Sequence, residues 1–412
     1  MITPSFGLTA TERVLPKLAL DFTTASLDSR ITFTRATSAS NPATYVDSSG
    51  YITAATNNEP RFDYNPVTLV CKGLLIEESR SNLLNGSEDF SSTYYTATGA
   101  SVVTDNAVSP SNTLTADFLK EDSANSTHFL AKTPTLSVTS GTTYTFSIFG
   151  KYNGRSWVRL NIQSGSNFRA YFNVATGVIG TLDAGVTASI ATYKNGFYRC
   201  TLTATAGANT AIAQIHLASA DGVITYQGDG TSGLYIWGAQ LEAGAFATSY
   251  IPTTTAALTR NADVATMTGT NFSDWFNASE GGAVIQVLPR TISGTRPAVE
   301  FDDNTANETI VLRGVAADPQ LYVVDGGAAQ ATLDAGTITA NAAYRLAGAW
   351  KSSSFATAIN GAASVSQLSG TYPTVTQARF GSDGTNYLNG WLQNFRYWPQ
   401  RITNAETQAF SK

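Results

Sequence analysis

Apolar and polar residues alternate along most of the chain, which is the pattern of a β-strand with one buried face. A first series of such segments comprises residues 143–148, 157–163, 168–174, 197–204 and 212–217. A second series comprises residues 283–288, 298–301, 309–313, 320–324, 344–350, 355–359 and 378–381. Clusters of Gly, Asn, Asp and Ser separate the segments, as in antiparallel sandwiches. The sequence therefore predicts an all-β protein with far more strand than helix.

Three segments of the first series separate into an apolar face and a polar face. In residues 157–163 the apolar face carries Val158, Leu160 and Ile162, which we assign to the core. The opposite face suits a sugar, because aromatic rings stack on the C–H face of a pyranose while amides and guanidinium groups bond its hydroxyls. The candidate glycan-binding residues are Trp157, Arg159, Asn161, Arg169, Tyr171, Asn173, Gln214 and His216. A solvated sheet face, or one covered by another subunit, explains the same alternation.

Charged residues are dense between positions 61 and 80, although only 13% of the chain is Asp, Glu, Lys or Arg. The residues concerned are Arg61, Asp63, Glu77, Glu78 and Arg80. One interpretation is a set of salt bridges that pins a loop-rich segment onto the next domain. The other is a docking surface for another subunit.

Charge and composition make several function classes improbable. The net charge is −5 and no Lys/Arg cluster is present, so the sequence predicts no nucleic-acid partner. No apolar run reaches the roughly 18 residues that a membrane span needs, so no membrane insertion is expected. Cys71 and Cys200 are expected to be reduced thiols. His128 and His216 have no ligand-spaced partner, so no metal site is predicted from them.

Carboxylates are the only candidates for catalysis, because glycosidases on sandwich folds use two carboxylates about 5–9.5 Å apart. Those in the last third of the chain are Glu300, Asp302, Asp303 and Asp383. Hard oxygen ligands at Asp302 and Asp303 leave a calcium site as an alternative to a polar turn. No other cofactor is predicted.

Residues 31–84 resemble a block found near the N-terminus of many bacteriophage virion proteins of the tail, tail-fibre or head-fibre kind. The resemblance rests on the order FTR, YVDSSGYI, PRFDY and GLLIEE-x-R-x-NLL. KNGFYRCTL at residues 194–202 is similar to the G-W-Y-R strand of carbohydrate-binding-module jelly rolls. Residues 233–253 are similar to the closing strand of the phage version, and residues 388–406 to the end of concanavalin-like, laminin-G-type domains.

The resemblance implies an N-terminal extended anchoring segment at residues 1–85, followed by two antiparallel β-sandwiches. These are a carbohydrate-binding-module-like jelly roll at residues 86–252 and, after a linker at residues 253–265, a concanavalin-like sandwich at residues 266–412. It implies a non-enzymatic virion protein, assembled in the host cytoplasm, that adheres to glycans or another host surface through its sandwiches. Other virion subunits, further copies in a homo-oligomer such as a trimer, and host-surface polysaccharide are the expected partners.

Two other functions compete with this one. A polysaccharide depolymerase would use the carboxylates of the last domain. A purely structural virion subunit would bury every sandwich face against neighbours and bind no sugar.

Overall fold

The computed structural model describes residues 15–35, 43–91 and 93–412 of the chain. About 53% of the protein is strand and 4% is helix, so the all-β prediction is confirmed. The strands form two antiparallel sandwiches, as predicted, and the second combines strands from residues 18–76 with strands from residues 264–398. The predicted anchoring segment lies partly outside the described residues, which begin at Leu15 and omit positions 36–42.

The first sandwich packs two sheets, A and B, around one apolar core. Sheet A has six strands in the spatial order Thr187–Thr192, Tyr198–Thr205, Thr143–Asn153, Gly233–Ala243, Leu114–Glu121 and Ala100–Val108. Sheet B has seven, in the order Val178–Leu182, Ser166–Asn173, Trp157–Ser164, Thr210–Ala218, Phe129–Lys132 and Tyr95–Thr98, with Leu136–Ser137 also paired to Thr210–Ala218. Phe146 and Ile148 of sheet A meet Leu160 and Phe172 of sheet B in the core.

The second sandwich packs sheets C and D. Sheet C has eight strands in the order Val365–Gln367, Ser354–Ile359, Tyr344–Lys351, Glu280–Pro289, Gly390–Trp398, Cys71–Ile76 and Phe62–Tyr64, with Leu18–Asp21 also paired to Gly390–Trp398. Sheet D has seven, in the order Thr32–Thr34, Val264–Thr268, Gln377–Phe380, Thr295–Asp302, Thr309–Val315, Asp318–Asp325 and Ala328–Asp334. Aromatic rings fill the space between them, among them Phe301, Trp350, Phe395 and Tyr397.

Strands from the first 85 residues belong to the second sandwich. Leu18–Asp21 and Cys71–Ile76 both pair with Gly390–Trp398, close to the other end of the chain. Thr32–Thr34 pairs with Val264–Thr268 in sheet D. These hydrogen bonds integrate the described part of the segment into the sandwich. Whether it also anchors the chain to another subunit stays a prediction.

Three short ribbons complete the strands. They pair Asn125–Thr127 with Thr225–Gln227, Arg80–Asn82 with Leu258–Arg260, and Ala43–Val46 with Ile52–Ala55. The last ribbon is a hairpin, in which Asp47 Oδ1 accepts hydrogen bonds from the Ser49 and Tyr51 amides and Gly50 adopts a φ of 87°.

The helices are short. The α-helices are Thr270–Ser273 and Asn404–Phe410, and the 3-10 helices are Phe22–Thr24 and Lys194–Gly196. Thr403 and Glu406 form a capping box at the start of the C-terminal helix.

Candidate glycan-binding face

Three neighbouring strands of sheet B bring all eight candidate glycan residues to one side of the sheet. Arg159 lies opposite Tyr171 on one neighbouring strand and opposite His216 on the other. Asn161 lies opposite Arg169 and Gln214 in the same way, and Trp157 lies opposite Asn173. Val158, Leu160 and Ile162 point into the core and are at most 2% exposed. The predicted division into two faces is therefore confirmed, whereas the function of the polar face stays a prediction.

Two sets of hydrogen bonds hold the side chains at the centre of this face. Arg159 Nη2 lies 2.7 Å from His216 Nε2. Asn161 Nδ2 donates to Gln214 Oε1 at 2.7 Å and to Asn167 Oδ1 at 3.0 Å. The ring of Phe129 stacks on His216 with centroids 4.6 Å apart. The side chains at the centre are thus held in fixed positions by one another.

His216 is held in its neutral form by this environment. Burial, together with the nearby charge of Arg159, lowers the pKa of His216 to about 2. A guanidinium can only donate, so His216 Nε2 accepts the hydrogen bond from Arg159 and the ring proton resides on Nδ1. The imidazole therefore offers a fixed N–H donor at Nδ1.

Three buried polar atoms of these side chains have no hydrogen-bond partner within the described part of the chain. They are Arg159 Nε, Asn161 Oδ1 and His216 Nδ1. Their side chains are 6%, 1% and 4% exposed, respectively. Buried polar atoms in proteins are nearly always paired, so two donors and one acceptor that lack a partner on one face single out this part of sheet B as the candidate site.

A glycan-binding face and a solvated face would both be open to solvent, whereas this face is mostly buried. Tyr171 is 7% exposed, and only part of Trp157 reaches solvent. The Trp157 ring packs so closely on Gly180 that a Cβ there would lie 2.6 Å from Trp157 Cζ3. The outer face is therefore a mostly buried polar cluster with one partly exposed aromatic ring at its edge.

Two of the eight candidates are engaged in local structure instead. Arg169 Nε donates to Asp183 Oδ2 at 2.7 Å, in an ion pair that solvent reaches. Asn173 Oδ1 accepts the backbone amides of Ala175 and Thr176 and so shapes the turn that follows its strand. We therefore place these two residues at the rim of the candidate site.

The charged residues that sequence analysis grouped between positions 61 and 80 belong largely to a buried ion network. Arg61 and Glu77 are both fully buried, and Arg61 Nη1 lies 2.9 Å from Glu77 Oε2. Asp263 pairs with Arg61 and with Arg35 Nη1, the latter at 2.9 Å, and Glu77 pairs also with Arg260. The docking hypothesis is thus corrected for Arg61 and Glu77, because neither side chain reaches the protein surface. The salt-bridge interpretation accounts for them.

The other three docking candidates also contact their own chain. Asp63 is 4% exposed and accepts hydrogen bonds from Trp391 Nε1 at 2.9 Å and from the Val46 amide at 2.7 Å. Arg80 pairs with Glu78, and the two side chains are 10% and 32% exposed. Glu78 is therefore the one of the five that offers an appreciable charged area to a partner.

The candidate carboxylates of the second sandwich have different surroundings. Burial raises the pKa of Glu300 to about 7, although Thr309 Oγ1 donates to its Oε1 at 2.6 Å. Asp302 pairs with Arg379 at 2.8 Å. Asp303 and Asp383 accept backbone amides within their own turns. Over residues 15–35, 43–91 and 93–412, no group of three His, Cys, Asp or Glu side chains is arranged to hold a metal, and the calcium hypothesis stays untested.

A cleft of about 680 Å³ lies at the junction of the two sandwiches and was not singled out from the sequence. Residues from the hairpin near Tyr45, from sheet A near Tyr193, from the loop at residues 245–250 and from the second sandwich at Trp391 line it. These segments are far apart in the chain, so no local motif marks the cleft.

In the described residues, no helix is long and apolar enough to span a membrane.

No protein-family model matches the sequence, and no curated protein is similar to it in sequence. The CBM40 module of the Ruminococcus gnavus IT-sialidase, bound to α2,3-sialyllactose, is 14% identical and matches over 33% of this chain and 84% of that chain, with a TM-score of 0.29. The Streptococcus pneumoniae NanB sialidase is 12% identical over 35% of this chain and 26% of that chain, with a TM-score of 0.30.

Domain 4 of AbnA, a GH43 extracellular arabinanase from Geobacillus stearothermophilus in complex with arabinotriose, is 15% identical. It matches over 37% of this chain and 73% of that chain, with a TM-score of 0.28. At such TM-scores these partial similarities assign neither a family nor a ligand to the chain.

Proposed function

We propose that this chain is a non-enzymatic, glycan-binding structural protein whose sugar site is the polar face of sheet B. The observation that carries the proposal is the set of three unpaired, buried polar atoms on Arg159, Asn161 and His216. Each unpaired buried group costs about 1–3 kcal/mol, so a ligand that pairs them recovers that free energy on binding.

A polyhydroxylated ligand fits this arrangement chemically. A sugar hydroxyl both donates and accepts, so vicinal hydroxyls can pair the N–H donors of Arg159 and His216 together with the Asn161 carbonyl oxygen. The partly exposed ring of Trp157 at the edge supplies an apolar surface for the C–H face of the same sugar. Asp183, the carboxylate that contacts Arg169 at the rim, is engaged in an ion pair with that residue.

We further propose that the protein is a component of a bacteriophage virion, in a tail fibre or head fibre. The support is the order of the sequence motifs between residues 31 and 84, together with the low content of charged residues. In this role other virion subunits and further copies of the chain are its partners, and host-surface polysaccharide is the ligand of sheet B. Negative-stain images of virions labelled with an antibody against this chain test the location, and unlabelled particles would contradict it.

Binding to a panel of immobilised bacterial polysaccharides, followed by calorimetry with the best ligand, tests the sugar site. Asn161→Ala removes one unpaired acceptor and is expected to weaken binding at least tenfold, about 1.4 kcal/mol. Gln163→Ala, at the exposed end of the same strand, is the matched control and should change affinity less than twofold. Equal affinities for the two variants would refute the assignment, provided both retain the strand-rich circular dichroism spectrum.

A second candidate function is polysaccharide cleavage by the second sandwich. It is favoured by the buried Glu300, whose Oε2 has no partner in the described residues and whose pKa is raised to about 7, as a general acid requires. New reducing ends on incubation with the bound polysaccharide, lost in Glu300→Gln, would establish the enzyme. Failure to bind any polysaccharide would leave the purely structural role.

A further inference from the structure

The cleft between the two sandwiches has a lining rich in hydroxyl and aromatic groups. Its volume of about 680 Å³ lies within the range of about 300–1,000 Å³ that is usual for small-molecule sites. Hydroxyl side chains of sheet A line one wall: Thr187, Ser189, Thr192, Thr201 and Thr203. Tyr45 and Tyr193 contribute partly exposed rings to the lining. This combination provides hydrogen bonds and ring contacts for a polyhydroxylated molecule.

The same lining carries more positive than negative charge. Its cations are Lys72, Arg199 and Arg290, against the single carboxylate of Asp63, which pairs with Lys72. Arg199 is only 7% exposed and forms no ion pair with any described residue. Its guanidinium donates to the Thr248 carbonyl at 2.7 Å and to Ser147 Oγ at 3.0 Å. A buried cation without a counter-ion is costly, and an anionic ligand would lower that cost.

Arg290 is also incompletely neutralised. Its nearest carboxylate is Glu77, at 3.3 Å, and Glu77 pairs at the same time with Arg61 and Arg260. The side chain is 18% exposed and lies over the Trp391 ring at 4.9 Å, while Lys72 lies over that ring at 4.0 Å. Arg290 also donates to the Ala247 carbonyl at 2.8 Å, next to the Thr248 carbonyl that Arg199 binds. The first sandwich thus supplies Arg199, and the second sandwich supplies Arg290, to one region of the cleft.

We propose that this cleft binds an acidic oligosaccharide, at a site separate from the polar face of sheet B. Carboxylates of the sugar contact Arg199, Arg290 and Lys72, because charge-assisted hydrogen bonds to guanidinium and ammonium groups are the strongest that a carboxylate makes. The ring hydroxyls contact the Thr and Ser side chains of sheet A. The inference does not depend on the sheet B site, since the two sites share none of the residues that carry the argument.

Calorimetry of the full chain with trigalacturonic acid, and with maltotriose as the neutral trisaccharide, tests the proposal. We expect measurable binding of trigalacturonic acid, weakened at least fivefold when salt rises from 50 to about 500 mM because exposed charges are screened. Lys72→Gln should weaken it at least fivefold, and Lys72→Arg should restore most of the affinity. Lys351→Gln, whose side chain is 57% exposed outside the cleft, is the control and should leave binding unchanged.

The binding experiments distinguish the cleft from the polar face of sheet B. Asn161→Ala on sheet B should leave trigalacturonic acid binding unchanged, so failure of the sheet B proposal does not affect this one. Equal affinity for trigalacturonic acid and maltotriose, absence of binding at millimolar concentration, or an unchanged affinity in Lys72→Gln would each overturn the inference. Arg199→Lys keeps the charge but removes the planar set of N–H donors, so this variant should fold and bind trigalacturonic acid more weakly. Full affinity in this variant would show that the sugar carboxylate does not contact Arg199.

Discussion

Replacing Glu77 by Gln is expected to destabilise the protein strongly. Glu77 is fully buried and pairs with Arg61 at 2.9 Å, with Arg290 at 3.3 Å and with Arg260. It also accepts the Ser249 amide at 2.8 Å and the Ser249 hydroxyl at 2.7 Å. The change keeps the side-chain shape and removes the charge that these guanidinium groups share.

The expected cost follows from the charges that remain. Asp263 is then the one carboxylate left in the network, and it already pairs with Arg35 and Arg61. Breaking a buried pair by neutralising one partner leaves uncompensated buried charge and costs about 3–5 kcal/mol. Since Glu77 has several cationic partners, the upper part of that range is expected.

Urea denaturation followed by tryptophan fluorescence measures the difference. Glu280→Gln is the matched control, because Glu280 pairs with Lys351 at 3.8 Å on the surface, where the side chains are 31% and 57% exposed. Such a pair is worth at most about 1 kcal/mol. If Glu77→Gln costs no more than Glu280→Gln, the network does not stabilise the junction and the reasoning is refuted.

Glu77 also makes the stability of the protein depend on pH. Burial alone would raise the pKa of Glu77, but Arg260, Arg61 and Arg290 together lower it well below the ordinary value of 4.5. A depressed folded-state pKa contributes stability that is present above the ordinary value and is lost as the pH falls through the folded value. The wild type should therefore lose stability below about pH 4, and Glu77→Gln should show a smaller acid dependence.

Three further predictions concern the second sandwich. Burial raises the pKa of Glu300 from 4.5 to about 7, so the protonated side chain stabilises the fold fully at low pH. The free energy of unfolding should fall by up to about 3 kcal/mol as the pH rises through that interval. Glu300→Gln should flatten this part of a profile of melting temperature against pH. Gly73→Ala should cost more than about 2 kcal/mol in urea, since its Cβ would lie 2.0 Å from the Leu392 carbonyl oxygen at a φ of 113°. Thr403→Ala removes the helix cap and should cost about 1 kcal/mol in the same assay, whereas Thr403→Ser should cost little.

The local pattern of apolar and polar residues was sufficient to predict much of the fold. Alternation predicted that Val158, Leu160 and Ile162 face the core, because side chains of a strand point to opposite faces with a period of two. The hairpin after Val46 and the cap at Thr403 depend on equally local chemistry. These features depend on residues within a few positions of each other.

Pairing over long distances could not be read from the sequence. Arg35 and Asp263 are 228 positions apart, and Arg61 and Asp263 are 202 apart, so no spacing rule relates them. The same holds for Leu18–Asp21, which pairs with a strand near the C-terminus. Hence the sequence left open whether Arg61 and Glu77 form internal salt bridges or belong to a docking surface.

The candidate site was predictable in its composition and not in its burial. The period-two pattern places Arg159, Asn161 and His216 on one face, and the strand register makes them neighbours. Their burial depends on contacts across strands, such as the stacking of Phe129 on His216. The cleft was missed because segments far apart in the chain form it.

A crystal structure of the protein soaked with its best-binding polysaccharide fragment tests the central claim most directly. We predict a sugar on sheet B whose hydroxyls lie within about 3.2 Å of Arg159 Nε, Asn161 Oδ1 and His216 Nδ1, with its ring near Trp157. A sugar bound elsewhere, with these three atoms still unpaired, would contradict the claim that sheet B is the glycan site.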